Sequence, residues 1–187
     1  MSLIGKKIND FKAQAFHQGQ FIEVTQENLQ GKWSILFFYP ADFTFVCPTE
    51  LEDLANLYPK FEEVGAEIYS VSTDTHFSHK AWHDSSEVIG KIRFPMIGDP
   101  TGRLTRDLDS FIEEDGMAER STFVINPEGK VVSYEVSAGN VGRSAKELLR
   151  KVKALQFVHE HGDKVCPANW EEGEDTLSPS IDLVGKI

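Results

Sequence analysis

At 187 residues the chain is long enough for one well-buried domain and too short for two of ordinary size. Hydrophobic residues at 40% and charged residues at 26% exclude a disordered or fibrous class, and a net charge of −11 without a Lys/Arg block excludes nucleic acid as a partner. No apolar run approaches membrane-spanning length and no basic-then-apolar leader opens the sequence, so the expected location is the cytoplasm, with no membrane partner.

Residues 12–25 carry alternating patches around Gly19 and predict a short hairpin at the edge of the fold. Residues 33–39, WSILFFY, are continuously apolar between Gly31 and Pro40, the pattern of a fully buried central strand. From Pro48 the period changes. Leu51, Leu54, Ala55 and Tyr58 recur at helical spacing, and Gly65 suits the helix end. Between strand and helix sits Cys47. Pro48 favours a first helical turn there, and the unpaired N–H groups and dipole of a helix start favour a thiolate, the nucleophilic form of cysteine. Thr44 is near enough in sequence to bring a hydroxyl to the same pocket, and Pro40 supplies a rigid apolar wall. Taken alone, this context also fits a structural cysteine packed against Phe43 and Phe45.

Residues 66–72 predict a second buried strand and complete a strand–helix–strand unit. Residues 72–75 offer caps for a helix over 76–85, which carries His76, His79 and His83 on one face. That face is open to three readings: a metal cluster, a histidine base for Cys47, or a partly exposed polar surface. No H-E-x-x-H pattern supports the first, nothing in the sequence orients a base for the second, and Asp74 and Asp84 read as caps. Residues 94–97 form a strand that Pro95 makes short or places at an edge. Residues 98–102 are a turn cluster lacking the lysine ending of a phosphate loop, and a short helix follows over 104–108.

Residues 122–125 and 131–136 predict a hairpin across the turn 126–129. Arg120 stands at its entrance. An arginine entering a buried strand is costly unless it is paired or serves a thiolate and a bound oxygen; the alternative is an exposed arginine pairing with Glu119 or Glu50. Residues 144–159 read as an amphipathic helix capped by Ser144, with Leu148, Leu149, Val152 and Leu155 on its stripe. The tail, 162–187, is irregular yet holds Val165, Trp170, Leu177, Ile181 and Leu183, which suggests an arm seeking another surface, a second copy of the chain first of all.

Only two cysteines occur, Cys47 and Cys166. In a reducing compartment so widely spaced a pair is redox-active or incidental, and the missing C-x-x-C removes a local dithiol and an ordinary zinc knuckle. No flavin or nicotinamide fingerprint is present, so neither a cofactor nor a metal is expected.

Pro40, Thr44 and Cys47, in YPADFTFVCPTE, stand at the P-x-x-x-T-x-x-C spacing of the peroxiredoxin signature. SVSTDTHFSHKAWH, MIGDPTG, RSTFVINPEG and the tail VCPANWEEGEDTLSPSIDLVGKI extend the likeness over most of the chain, which resembles the typical two-cysteine peroxiredoxins of the bacterial alkyl hydroperoxide reductase C type. The resemblance implies a thioredoxin-like α/β sandwich over residues 1–161, with a central mixed sheet and an N-terminal β-hairpin extension, and a C-terminal arm over 162–187 carrying the resolving cysteine. It implies a thiol peroxidase acting on hydrogen peroxide and organic hydroperoxides, with Cys47 as the reacting thiol and Pro40, Thr44 and Arg120 binding the peroxide. Glu50 stands behind them, and Ser121 replaces the glycine or alanine often found after the arginine.

The family further implies an intersubunit Cys47–Cys166 disulfide in a head-to-tail homodimer and five dimers in a ring, a decamer, with Phe77 and Trp82 near the dimer–dimer contact. The electron donor would be a flavoprotein disulfide reductase, the F subunit, or a thioredoxin. Residues 88–92 take the place of the Gly-Gly-Leu-Gly insertion, and the end of the chain takes the place of a Tyr-Phe helix, which implies a form robust to over-oxidation. Two other classes stay open on residues alone: an acidic holdase with incidental cysteines, and a thioredoxin-like reductase, which the absent C-x-x-C disfavours.

Overall fold

The computed structural model describes residues 2–186, and the chain divides into one unit up to Ala145 and another from Lys146. In the first unit, β1 (Lys12–His17) and β2 (Gln20–Thr25) form the expected hairpin, closed through Gly19 at φ 81°. β3 (Trp33–Phe38) leads through a loop into α1 (Cys47–Glu63), and β4 (Ala66–Ser72) returns parallel to β3. Helix α1 runs on through Pro59, whose exposed ring forfeits one helical hydrogen bond; the apolar stripe of Leu51, Leu54, Tyr58 and Phe61 holds the helix together across it. After α2 (His76–Ser85) come β5 (Met96–Gly98) and α3 (Arg103–Asp107). A small hairpin of β6 (Phe111–Ile112) and β7 (Met117–Ala118) follows, then β8 (Arg120–Ile125) and β9 (Val131–Ser137).

Seven strands make one mixed sheet in the order β2-β1-β5-β4-β3-β8-β9, the central mixed sheet expected, with the N-terminal hairpin at one edge. The short strand β5 is interior, between β1 and β4; it begins only after Pro95, so the missing N–H falls outside the strand, while the proline carbonyl accepts from Ser70 N. Gly98 belongs to the strand rather than to a turn. A Cβ there would meet His76 N at 2.7 Å, because the strand end passes directly against the start of α2.

Strand alternation sorts the core. Ala15, Ile97, Val71, Leu36, Phe38, Phe123 and Ile125 cover one face, joined by Leu104 and Leu108 from beside α3. Ile35, Phe37, Ile68 and Ser70 turn to the other. Since β3 and β8 are antiparallel, the exit of β3 and the entrance of β8 lie at the same end of the sheet, and β9 leaves there as well. Topology alone thus gathers the cysteine loop, Arg120 and residues 138–144.

The second unit takes up α4 (Ala145–Glu160) and a tail that folds back on itself, with an isolated bridge between Val165 and Leu177. Trp170 does not wait for another surface. It is 2% exposed, its ring centroid lies 5.0 Å from that of Phe157, and its indole N–H donates to Glu174 O. Ile181 and Val184 remain exposed. No helix among the described residues is long and apolar enough to cross a membrane.

Candidate active site

Cys47 is the first residue of α1, one position ahead of Pro48, and is 1% exposed. The first turn closes on the carbonyl of Val46, which accepts from Thr49 N, Glu50 N and the Thr49 hydroxyl. Neither flanking aromatic buries the thiol: Phe45 is 92% exposed and Phe43 turns outward over Trp82, so packing between those two does not account for the cysteine.

Arg120 Nη1 lies 3.5 Å from Cys47 Sγ and donates to Glu50 Oε2 at 2.6 Å, while Nε and Nη2 both donate to the carbonyl of Gly139. Arg120 is thus not an exposed arginine: it is 4% exposed, paired with Glu50, and its Nη1 is the nitrogen next to the sulfur. Glu50, one turn along α1 from Cys47, occupies the centre of the cluster. Its Oε1 accepts from the backbone N–H and Nε of Arg143, and its Oε2 accepts from Arg143 Nη2 as well as from Arg120.

The sequence gives no sign of Arg143, because an arginine in a seven-residue loop belongs to no periodic pattern. In the fold its side chain is 3% exposed, its guanidinium donates also to Phe38 O, Ser121 O and Thr122 Oγ1, and it lies 3.5 Å from the ring centroid of Phe37. The Ser121 and Ser110 hydroxyls share a hydrogen bond, and the Ser121 carbonyl accepts from Arg143 Nη1.

The electrostatics follow from burial and pairing. Burial works against a charged Glu50, but its hydrogen bonds and attraction to Arg143, with the bond from Arg120, outweigh burial and hold the carboxyl below its ordinary value. Burial likewise opposes the Arg120 cation, while Cys47 and Glu50 more than restore it. Arg143, packed deepest, is pushed down by burial from a starting value so high that it stays charged.

Thr44 and Pro40 sit half-buried on the loop between β3 and α1, and the Thr44 hydroxyl donates to Ala41 O at 2.8 Å. Cys166, in the second unit, is a free thiol like Cys47; its Sγ lies 3.9 Å from Ala154 O, and burial pushes it up despite the nearby charge of Arg150.

The histidines of α2 do not share one polar face. His79 is fully buried against Asp42 and Ile97 O, His83 donates from Nε2 to Ile92 O beside Phe16, and His76 packs on Phe21 and Phe77. Asp74 accepts from Asp42 N and Ser72 Oγ and Asp84 pairs with Lys80, while the N-cap of α2 is Thr75, whose hydroxyl accepts from Ser78 N.

The AhpC/TSA family model matches residues 4–134, and the model for the C-terminal domain of 1-Cys peroxiredoxin matches residues 154–186, a stretch that here contains a second cysteine, Cys166. The chain is 60% identical to alkyl hydroperoxide reductase C of Salmonella typhimurium over the whole of both sequences. Among solved structures it is similar to Enterococcus faecalis AhpC, with TM-score 0.87 and 53% identity over 89% of this chain and 100% of that one. It is also similar to reduced Plasmodium vivax 2-Cys peroxiredoxin, with TM-score 0.92 and 33% identity over 97% and 96%.

Proposed function

The chain belongs to the AhpC/TSA family, and on that premise we propose that Cys47 is the sulfur through which it reduces peroxides: it is a peroxiredoxin, a thiol-dependent peroxidase of the alkyl hydroperoxide reductase C type. The observation that carries the assignment of Cys47 is a buried thiol at a helix N-terminus with a guanidinium nitrogen 3.5 Å from its sulfur. Two buried guanidiniums against one carboxylate leave the cluster one positive charge in excess, and a thiolate at Cys47 balances it.

The thiolate attacks one peroxide oxygen; an S–O bond forms as the O–O bond breaks, and the departing oxygen leaves with the electron pair and takes a proton to become alcohol or water. Arg120, tied in place by Glu50 and Gly139, stabilises the charge growing on the oxygens. Thr44, whose hydroxyl hydrogen is engaged by Ala41 O, retains lone pairs to accept from a peroxide O–H. Pro40 walls the site against water.

Cys47 becomes a sulfenic acid, which condenses with the Cys166 thiol of a second subunit and releases water. Disulfide formation needs the two sulfurs about 2 Å apart, so a thiol as buried as Cys47 must first be released by unwinding the turn that closes on Val46 O. A reductase returns the two electrons. A flavoprotein F subunit is the favoured donor and thioredoxin the second; the working form is a homodimer assembling into a decamer in the cytoplasm.

Non-reducing electrophoresis after a stoichiometric hydrogen peroxide pulse tests this reading. Wild type should give a dimer band, whereas Cys166→Ser should consume one equivalent of peroxide and give none. A Cys47→Ser protein that still consumes peroxide would refute the assignment.

A further inference from the structure

Under the loop that leads to Cys47 lies a buried polar cluster that the reaction as described leaves without a role. Asp42, with its side chain 1% exposed, accepts the Tyr39 hydroxyl on Oδ1 at 2.8 Å and faces His79 Nδ1 through Oδ2 at 2.8 Å. His79 Nε2 lies 3.0 Å from the carbonyl oxygen of Ile97. A carbonyl can only accept, so Nε2 carries a hydrogen, and Nδ1 and the Asp42 carboxyl hold a single proton between them. The pair is neutral as a whole and both imidazole nitrogens are bonded, which makes such burial affordable.

The same loop is fastened at two further points. Asp42 N donates to Asp74 Oδ2 at 2.9 Å just ahead of α2, and the Phe43 ring rests over Trp82 of α2. Between these anchors Phe43 has φ 56°, a left-handed conformation that a phenylalanine keeps only where its surroundings impose it. Thr44 follows at once, and Cys47 three residues later.

We propose that Tyr39, Asp42 and His79 are positioning residues of the peroxidase reaction, clamping the loop onto α2 so that Thr44 and the first turn of α1 are presented in the form that meets peroxide. The proposal rests on the assignment of Cys47 given above. Loss of either member of the Asp42–His79 pair strands a buried polar group, and the loop relieves that cost by leaving. Phe43 then relaxes to an ordinary φ, Thr44 moves from its place, and the turn closing on Val46 O frays. The clamp thereby weights the balance between the folded form that reacts with peroxide and the unwound form that reacts with the resolving thiol. It also gives α2, which contributes no group to the chemistry, a part in the reaction.

The test uses full-length His79→Gln and Tyr39→Phe beside wild type. Two quantities are read: the second-order rate constant for Cys47 oxidation by hydrogen peroxide per titratable thiol, and the peroxide concentration that converts half of Cys47 to sulfinic acid during turnover. The rate constant should fall about tenfold in His79→Gln and in the same sense, by less, in Tyr39→Phe. The over-oxidation threshold should rise in both, because the sulfenic acid reaches Cys166 sooner. A lower melting temperature with both quantities unchanged would reduce the cluster to a fold-stabilising element and overturn the proposal. Should His79→Gln fail to fold, Tyr39→Phe, which removes one hydroxyl, decides the matter by the same readings. Wild-type Cys47 unreactive toward peroxide would refute the peroxidase assignment instead, so the two failures are distinct.

Discussion

Glu50 Oε2 and Arg120 Nη1 lie 2.6 Å apart with almost no solvent at either side chain, and the sulfur of Cys47 is the next polar atom along. In such a place neither charge can be removed without stranding the other. Removal of one partner from a buried pair costs about 3–5 kcal/mol, whereas an exposed pair such as Lys60–Glu63 contributes about 0–1 kcal/mol.

Glu50→Gln keeps the shape of the side chain and removes its charge, leaving two guanidiniums facing each other. Urea unfolding should show a loss of about 3 kcal/mol or more at neutral pH. A loss below about 1 kcal/mol would mean that water reaches the cluster and screens it.

The acid limb of stability carries the same signature. The folded Glu50 carboxyl is held below its unfolded value, so its contribution is complete above about pH 4.3 and is lost as pH falls through the lower folded value. Wild type and Glu50→Gln should therefore converge in stability as the pH is lowered. Parallel curves down to the acid transition would remove Glu50 as a source of the slope.

Arg120→Lys retains a cation but not the fork that binds Gly139 O through two nitrogens while a third reaches Glu50 and the sulfur. The rate of Cys47 oxidation should drop about 100-fold with the circular dichroism spectrum unchanged. Stopped-flow oxidation within a factor of three of wild type would show that charge alone suffices.

Arg143→Met should act on the same reaction without touching the sulfur, since Arg143 grips Glu50, Phe38 O and Ser121 O. About a tenfold loss in rate is expected, together with destabilisation as large as that of Glu50→Gln, and the double variant should lose less than the sum. Strict additivity in urea unfolding would separate the two residues.

Trp170→Ala removes a ring that is packed on Phe157 and bonded to Glu174 O, while its own carbonyl accepts from Arg150. Deleting a buried tryptophan side chain costs about 3–5 kcal/mol locally. Hydrogen exchange over residues 162–186 should quicken while the rate of Cys47 oxidation stays at the wild-type value. Unaltered protection of that segment would mean that other contacts order the tail.

Much of the chain is written in local patterns. Residues 33–39, 66–72 and 122–125 read as buried strands because continuous apolar runs admit little else, and the strands found there cover all but a residue or two. The hairpin 111–118 escaped notice because two-residue strands around FIEEDGMA show no alternation long enough to detect. The placement of β5 depended on its neighbours: Pro95 argues for an edge only if it belongs to the strand, and the strand starts one residue later, between β1 and β4. The face of α2 is decided in a related way. His79 shares its helical phase with the half-buried His76 and His83, and only Asp42, thirty-seven positions away, makes its full burial possible.

By itself the sequence determined a thiol at a helix start and the longer strands and helices around it, since each lies within a few residues of the signal that betrays it. Only the tertiary structure decided that Glu50 is the hub of two arginines, that Arg143 is one of them, and that Tyr39, Asp42 and His79 close on one another beneath the loop. The physical reason is distance along the chain: charges at positions 50, 120 and 143 share no period, and only the antiparallel return of β8 and β9 beside β3 brings them into one dry pocket where pairing is compulsory.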